Sequence, residues 1–298
     1  MLQTFDDSES LPPDLTESVE DPAIQGSSVK ESSVEELSGP APFWRWLPGR
    51  PWVIAHRGFS GRAPENTLAA IQMAMDVGAD MLEVDVTLSS DGHLMVIHDE
   101  TLDRTAGGSG QVLGSTFKYI RSLDAGSWFH PRFKDQKVPT LEEVLELIQG
   151  KMPVNVEIKG EAVGDKIQGG IAEKVAETLD RFGMAEQTLV SSFEPRALDQ
   201  LREIHPGIPK GSLYNRKVHK RRLPESITSE VDAQSFHVHR WYFRRAMEKE
   251  ARRLDLPVLV YTVNHPLVMK RMIRRGVAGL FTDHPDRMIR LLQQRDRR

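Results

Sequence analysis

The run Pro153-Val154-Asn155-Val156-Glu157-Ile158, together with the stretch Ile171–Phe182 that follows it, decides how this chain folds. The first is a short β-branched segment whose side chains alternate between two faces; the second places apolar residues at helical spacing. The same unit recurs in both directions. Toward the C-terminus, strand patterns at Thr188–Ser192, Lys210–Tyr214, Gln234–Val238, Val258–Val263 and Gly279–Thr282 mostly lead into helical patterns at Arg196–Ile204, Phe243–Leu254, Pro266–Arg275 and Pro285–Gln293. Toward the N-terminus, Trp52–Ala55 precedes Thr67–Val77, and Met81–Leu88 is separated from Leu141–Ile148 by a long gap. About eight such units in roughly 255 residues are what an α/β fold of the (β/α)8 TIM-barrel kind needs. A doubly wound open sheet fits the alternation almost as well, but the first turn reads His56-Arg57-Gly58 and lacks the GxGxxG of its dinucleotide-binding version.

Two segments depart from a plain barrel. The second and third barrel strands are about 65 residues apart, far beyond an ordinary connection, and Leu94–Ile97 reads as an extra strand after the Asp91-Gly92 turn. A small insertion after the second strand, at about 99–140, is therefore expected. In Asn215–Ser235, Pro224 interrupts a basic stretch, so a helix there is only weakly specified.

The net charge of −4 over 298 residues is unevenly divided. Residues 1–42 hold ten acids and one base, Lys30, a charge of −9, which leaves +5 for the remainder. With eight Ser, five Pro and Phe5 as its one aromatic, this part cannot bury enough apolar surface to offset its ordering entropy. It is expected to be a disordered acidic tail ahead of a barrel domain at 43–298. The absence of cysteine excludes a disulfide framework, a thiolate zinc site and a thiol nucleophile, so chemistry must come from His, carboxylates, Arg and Lys. No apolar run approaches about 18 residues and the first ten residues lack the pattern of a signal peptide, so a cytoplasmic protein without a transmembrane segment is expected. Arg216, Lys217, Lys220, Arg221 and Arg222 form a basic stretch without interleaved aromatics, which argues against a nucleic-acid partner.

Glu83 and Asp85 sit two apart in Met81-Leu82-Glu83-Val84-Asp85-Val86, which puts both carboxylates on one face of a strand. Acids inside an apolar strand are costly unless a cation or hydrogen bonds compensate. A hard divalent cation, Mg²⁺ or Ca²⁺, suits such oxygen donors, and so do ion pairs to neighbouring Arg or Lys. Glu157 and Lys159 repeat the spacing on the next barrel strand, either as a third carboxylate beside a positive charge for an anionic substrate or as an ordinary ion pair. His56 ends the first strand and His98 follows Leu94–Ile97, so both emerge near the strand ends where barrel active sites lie. Two histidines can divide general base and general acid, as phosphodiester cleavage requires, while a metal acts as Lewis acid and Arg57 clamps phosphoryl oxygens. His219, His237, His239 and His284 lack such context and read as structural or surface groups.

Taken together, His56-Arg57-Gly58, Pro64-Glu65-Asn66-Thr67, Glu83-Val84-Asp85-Val86, Asp91-Gly92 through His98-Asp99, Arg104-Thr105, Pro139-Thr140-Leu141-Glu142-Glu143, Glu157-Ile158-Lys159, Thr262-Val263-Asn264 and Thr282-Asp283-His284-Pro285 resemble the glycerophosphodiester phosphodiesterase family. The resemblance runs over roughly residues 52–290 in the family's order. It implies a TIM barrel with an insertion after the second strand, and hydrolysis of a small glycerophosphodiester to glycerol 3-phosphate and an alcohol. It implies His56 and His98 as acid/base catalysts, Glu83, Asp85 and Glu157 as ligands of a divalent cation, and Arg57 and Lys159 as contacts to the phosphate or metal site. Tyr261 stands where the family often has Trp, and Ala278 where an acid is common; both bear on substrate choice more than on reaction class. Ser191-Ser192-Phe193 either lines the pocket or ends a strand. Two other readings stay open: lysophospholipase D-like hydrolysis, for which Trp128, Phe129 and Phe133 of the insertion are the nearest apolar group, and a non-catalytic barrel that binds an anion.

Overall fold

The computed structural model describes residues 49–296; the expected acidic tail at 1–42 lies outside them. In chain order the elements are β1 (Trp52–His56), α1 (Leu68–Asp76), β2 (Met81–Leu88), β3 (Leu94–Val96), α2 (Phe117–Ser122), α3 (Leu141–Ile148), β4 (Val154–Ile158), α4 (Ile171–Arg181), β5 (Thr188–Ser192), α5 (Pro195–Ile204), β6 (Lys210–Leu213), α6 (Arg216–His219), α7 (Pro224–Thr228), β7 (Ser235–His239), α8 (Arg245–Arg253), β8 (Val258–Tyr261), α9 (Pro266–Arg274), β9 (Gly279–Thr282) and α10 (Pro285–Asp296). Eight strands pair in parallel in the order β1, β2, β4, β5, β6, β7, β8, β9, and β9 pairs back onto β1. The sheet is therefore a closed barrel, as the alternation of strand and helix patterns predicts.

Strand alternation divides the core into two layers. Trp52, Ile54, Met81, Leu189, Leu259 and Phe281 form a buried cluster inside the barrel. Leu82, Val84, Val86, Val154, Val156 and Ile158 pack outward against helices such as α3, which buries Leu141, Val144, Leu145 and Ile148. Each of those aliphatic side chains contributes up to ~1.5–3 kcal/mol on burial. The inward faces of β2 and β4 carry Glu83, Asp85, Asn155 and Glu157, so the apolar floor of the barrel gives way to a polar layer at the strands' C-terminal ends. Parallel register places His56 opposite Glu83, and Asp85 opposite Glu157.

Helix starts follow from capping. Thr67 caps α1, Thr140 and Glu143 form a capping box on α3, and Pro266 opens α9 within its first turn. The basic stretch after β6 contains the short helix α6, and Pro224 opens a second short helix, α7, just beyond it, which explains why it interrupted the pattern without abolishing helix. The insertion begins with β3, which pairs antiparallel to β2 and ends at Val96, one residue before the expected end. It has a small core of its own that includes Met95, Leu102, Val112 and Ile120. Trp128, Phe129 and Phe133 stack edge to face within it, with ring centroids 5.6 and 5.8 Å apart. Among the described residues no helix is long and apolar enough to cross a membrane.

Candidate functional site

Glu83, Asp85 and Glu157 project from neighbouring strands into the barrel mouth, and one carboxylate oxygen from each lies within 4.8 Å of the others. Glu83 and Asp85 are buried, so their charges interact with little screening. Burial and the charge of Asp85 push Glu83 up to about 8. Burial also raises Glu157. Asp85 moves the other way: burial opposes its charge, but Arg57, Lys159 and a hydrogen bond from Asn66 outweigh it and hold the carboxyl well below its usual range. Asn66 Nδ2 donates to Asp85 Oδ2 at 2.9 Å, and Arg57 Nε pairs with the same oxygen at 3.2 Å. Lys159 Nζ lies 3.4 Å from Asp85 Oδ1 and 3.2 Å from Glu157 Oε1.

The ion pairs envisaged for these acids are thus present, and the group still suits a cation. Its donors are three hard oxygens, the preferred set of Mg²⁺ and Ca²⁺. The upward shifts of Glu83 and Glu157 record mutual repulsion and burial that the two basic side chains leave uncompensated.

The turn after β1 brings Arg57 over this triad. Arg57 and Gly58 both have positive φ, 57° and 80°, a tight reversal that glycine permits and that costs Arg57 strain. A Cβ on Gly58 would lie 2.6 Å from the carbonyl carbon of Ala70, so the close approach of α1 demands glycine. The reversal aims the Arg57 backbone N–H at Glu83 Oε2, 2.8 Å away, and lets Arg57 Nη1 donate to Glu65 Oε1 at 2.8 Å.

The two histidines are each held by a carboxylate. His56 Nδ1 is 2.6 Å from Asp283 Oδ1, whose other oxygen accepts from Asn264 Nδ2 at 2.6 Å. Burial works against a charge on His56, but the Asp283 bond and Glu83 prevail, and its pKa is raised. His98 Nδ1 is 2.7 Å from Asp99 Oδ1, and Asp99 in turn accepts from Arg104 Nε at 2.6 Å. Arg104 reaches Glu65 through both terminal nitrogens at 2.8 Å, so a continuous chain links His98, Asp99, Arg104, Glu65 and Arg57. Burial lowers the pKa of His98, with Arg57 and Lys159 adding to it.

His56, Arg57, Glu83, His98 and Glu157 line one cavity of about 180 Å³, shared with Asn155, Ser191, Phe193 and Tyr261. All seven residues singled out from the sequence meet in one place: five line the cavity, and Asp85 and Lys159 contact that wall. Ser191 and Phe193 do line the pocket, and Tyr261 forms an aromatic edge contact with Phe193 at 6.1 Å. A larger groove of about 980 Å³ between α8 and α9 is lined mainly by arginines and has neither a histidine nor a carboxylate cluster.

Sequence reasoning passed over several participants. Asp283, Asp99, Glu65, Asn66 and Arg104 all lie in motif segments that carry the resemblance, but their pairings join residues up to 227 positions apart. His237, read as structural, is fully buried, borders the cavity and has its pKa pushed down to about 3 by burial.

The model of the glycerophosphoryl diester phosphodiesterase family matches residues 56–287. A glycerophosphodiester phosphodiesterase of Caldanaerobacter subterraneus subsp. tengcongensis is 38% identical over 245 residues, 81% of this chain and 98% of that protein. The crystal structure of a glycerophosphodiester phosphodiesterase from Agrobacterium tumefaciens is 32% identical, with a TM-score of 0.70 over 80% of this chain and 98% of that one. A phosphodiesterase from Oleispira antarctica, solved with the product sn-glycerol-3-phosphate, is 29% identical, with a TM-score of 0.77 over 85% of this chain and all of that one.

Proposed function

This chain belongs to the glycerophosphoryl diester phosphodiesterase family and is a glycerophosphodiester phosphodiesterase; on that premise we propose that it releases glycerol 3-phosphate and an alcohol by cation-dependent histidine acid/base catalysis. The observation that carries the reading is the convergence of three carboxylates, two basic side chains and two carboxylate-braced histidines on one small cavity. Glu83, Asp85 and Glu157 would hold one Mg²⁺ or Ca²⁺. When bound, that ion supplies Lewis-acid polarisation of the phosphoryl oxygens.

The remaining chemistry belongs to the chain. Arg57 and Lys159 bring positive charge to the non-bridging oxygens and stabilise the charge that develops as phosphorus is attacked. The opposed pKa shifts of the histidines divide their labour. His98, favoured in its neutral form, takes a proton from the attacking water. His56, favoured in its charged form by Asp283, gives a proton to the leaving alkoxide. A P–O bond forms to the water oxygen, the P–O bond to the alcohol breaks, and proton exchange with solvent returns each histidine to its starting state. The product bound in the Oleispira antarctica relative is the fragment this scheme releases.

The test follows glycerol 3-phosphate release from glycerophosphocholine. EDTA abolishes release and Mg²⁺ or Ca²⁺ restores it; His98→Ala abolishes it with an unchanged melting temperature. Full turnover in EDTA or in His98→Ala would sink this reading.

A further inference from the structure

The catalytic end of the barrel also carries exposed apolar side chains that extend beyond the cavity. Among the described residues, six large apolar side chains are exposed. Four of them follow consecutive strands at the barrel mouth: Phe193 after β5, Val218 after β6, Trp241 after β7 and Leu267 after β8. The other two, Tyr119 and Trp128, lie in the insertion. Trp241 is 75% exposed, Leu267 67% and Val218 61%, which is expensive for side chains that gain by leaving water.

These residues are organised. Trp241 packs edge-on against His239 at 5.1 Å, His239 against Tyr261 at 5.8 Å, and Tyr261 against Phe193 at 6.1 Å, an aromatic path from the outer rim to the cavity wall. Arg240 lies over the Trp241 ring at 5.0 Å, and Arg216 over Tyr242 at 5.4 Å, which ties the loops after β6 and β7 together.

The charge on the loops after β6 and β7 is of one sign. Residues 214–224 contain five Arg or Lys and no acid, and residues 239–247 contain three Arg and no acid. Arg216, Lys217, Lys220 and Arg221 are exposed, and among the described residues none of them forms an ion pair; Arg222 does, with Glu230. An exposed tryptophan and aliphatics on loops that also carry exposed cations without ion-pair partners match an interface with an apolar interior and an anionic surface.

We propose that this rim, centred on Trp241, Leu267 and Val218 and flanked by the basic loop 216–222, docks the barrel mouth onto an anionic lipid bilayer. Docking turns the cavity toward the layer in which glycerophosphodiester head groups of acyl-bearing lipids lie. The binding stands on the rim alone; that the docked mouth acts on such head groups rests on the hydrolysis proposed above.

The experiment is flotation of the full chain with vesicles of phosphatidylglycerol and phosphatidylcholine in equal parts, and with phosphatidylcholine alone. The wild-type chain floats with the anionic vesicles and far less with the neutral ones. Trp241→Ala binds about tenfold more weakly, and adding Leu267→Ala weakens it further, since each removes apolar area that enters the interface. Lys217→Glu with Arg221→Glu loses at least as much, as expected from about fivefold per cation near an anionic surface. Glycerophosphocholine hydrolysis stays at the wild-type rate in all these variants, which shows that they are folded and separates this proposal from the catalytic one. Absence of wild-type flotation overturns the proposal, as does unchanged flotation of Trp241→Ala/Leu267→Ala. Loss caused instead by Arg271→Glu/Arg274→Glu in the groove between α8 and α9 also overturns it, as does a dimer abolished by Trp241→Ala without vesicle binding.

Discussion

Asp283→Asn is nearly isosteric, yet the hydrogen bonds around residue 283 do not tolerate an amide. Asp283 Oδ1 serves His56 Nδ1 at 2.6 Å, and Oδ2 serves Asn264 Nδ2 at 2.6 Å. The Asn264 amide cannot turn over, because its Oδ1 already accepts from the Asp283 backbone N–H at 2.9 Å and from Thr282 Oγ1 at 3.2 Å. An asparagine has one acceptor oxygen for two demands, so either His56 or Asn264 faces a second donor. The size of the effect follows from Asp283 itself. Burial opposes its charge, but the bonds from His56, Asn264 and Ser60 bring its pKa from the ordinary 3.8 to about 2. That shift corresponds to ~2.5 kcal/mol. The carboxylate is 30% exposed and shared among three donors, which leaves about 1–2 kcal/mol for its pairing with His56. Because the folded pKa is depressed, this stability is complete above about pH 4 and is lost as pH falls through about 2. Urea unfolding at pH 7 should show the deficit, and it should shrink toward pH 3. Catalysis suffers more than stability, since His56 loses the group that fixes its tautomer and favours its charged form. We expect kcat to fall on the order of 10²–10⁴ with little change in KM. The alkaline limb of the pH–rate profile should move down by roughly one unit, because removing Asp283 lowers the pKa of the proton donor. A kcat within threefold of wild type, with an unmoved alkaline limb, would refute the assignment of Asp283 as the positioning residue for His56.

Other outcomes follow from the same geometry. Glu83→Gln should make the cation-free protein more stable at pH 7 by about 1–3 kcal/mol: a carboxyl raised to about 8 costs stability once pH exceeds the unfolded value, and an amide escapes that cost. The same variant should lose turnover and the rise in melting temperature that Mg²⁺ or Ca²⁺ gives the wild type; a lower cation-free melting temperature would contradict the account of Glu83. Glu65→Gln removes the charge joining Arg57 to Arg104 and so loosens both the phosphate contact and the support of His98. Its kcat/KM should drop about 10–100-fold, and a value equal to wild type in steady-state assays would show that the chain of ion pairs is idle. Gly58→Ala forces a Cβ into the backbone of Ala70 at positive φ and should cost about 3 kcal/mol in urea unfolding; a loss under about 1 kcal/mol would mean that the turn can relax.

Much of the barrel was legible because its signals are local. Every barrel strand read from β-branched runs is present, with ends shifted by no more than two residues. The misfit of 65 residues after the second strand identified the insertion, since no simple connection fills that length. Strand ends were less exact where the chain leaves the sheet without changing composition, as at Val258–Val263, where pairing stops at Tyr261. Alternation along single strands also placed Glu83 beside Asp85 and Glu157 beside Lys159, so that half of the site could be read from spacing two alone.

Residue order within single elements specifies the alternation of strands and helices, the inward face of each acid and a cysteine-free site, because those features are local. Tertiary structure alone decided which partners those groups have. Closure of β9 onto β1 brings Asp283 to His56, and the insertion folds back to bring Asp99 and Arg104 beside Glu65. Contacts between elements also give Asp85 and Glu83 opposite pKa shifts although they stand two residues apart on one strand, since Arg57 and Lys159 pair with Asp85 and leave Glu83 less well compensated. Burial and Coulomb interactions act through space, and the separations that set them exist only once the barrel has closed.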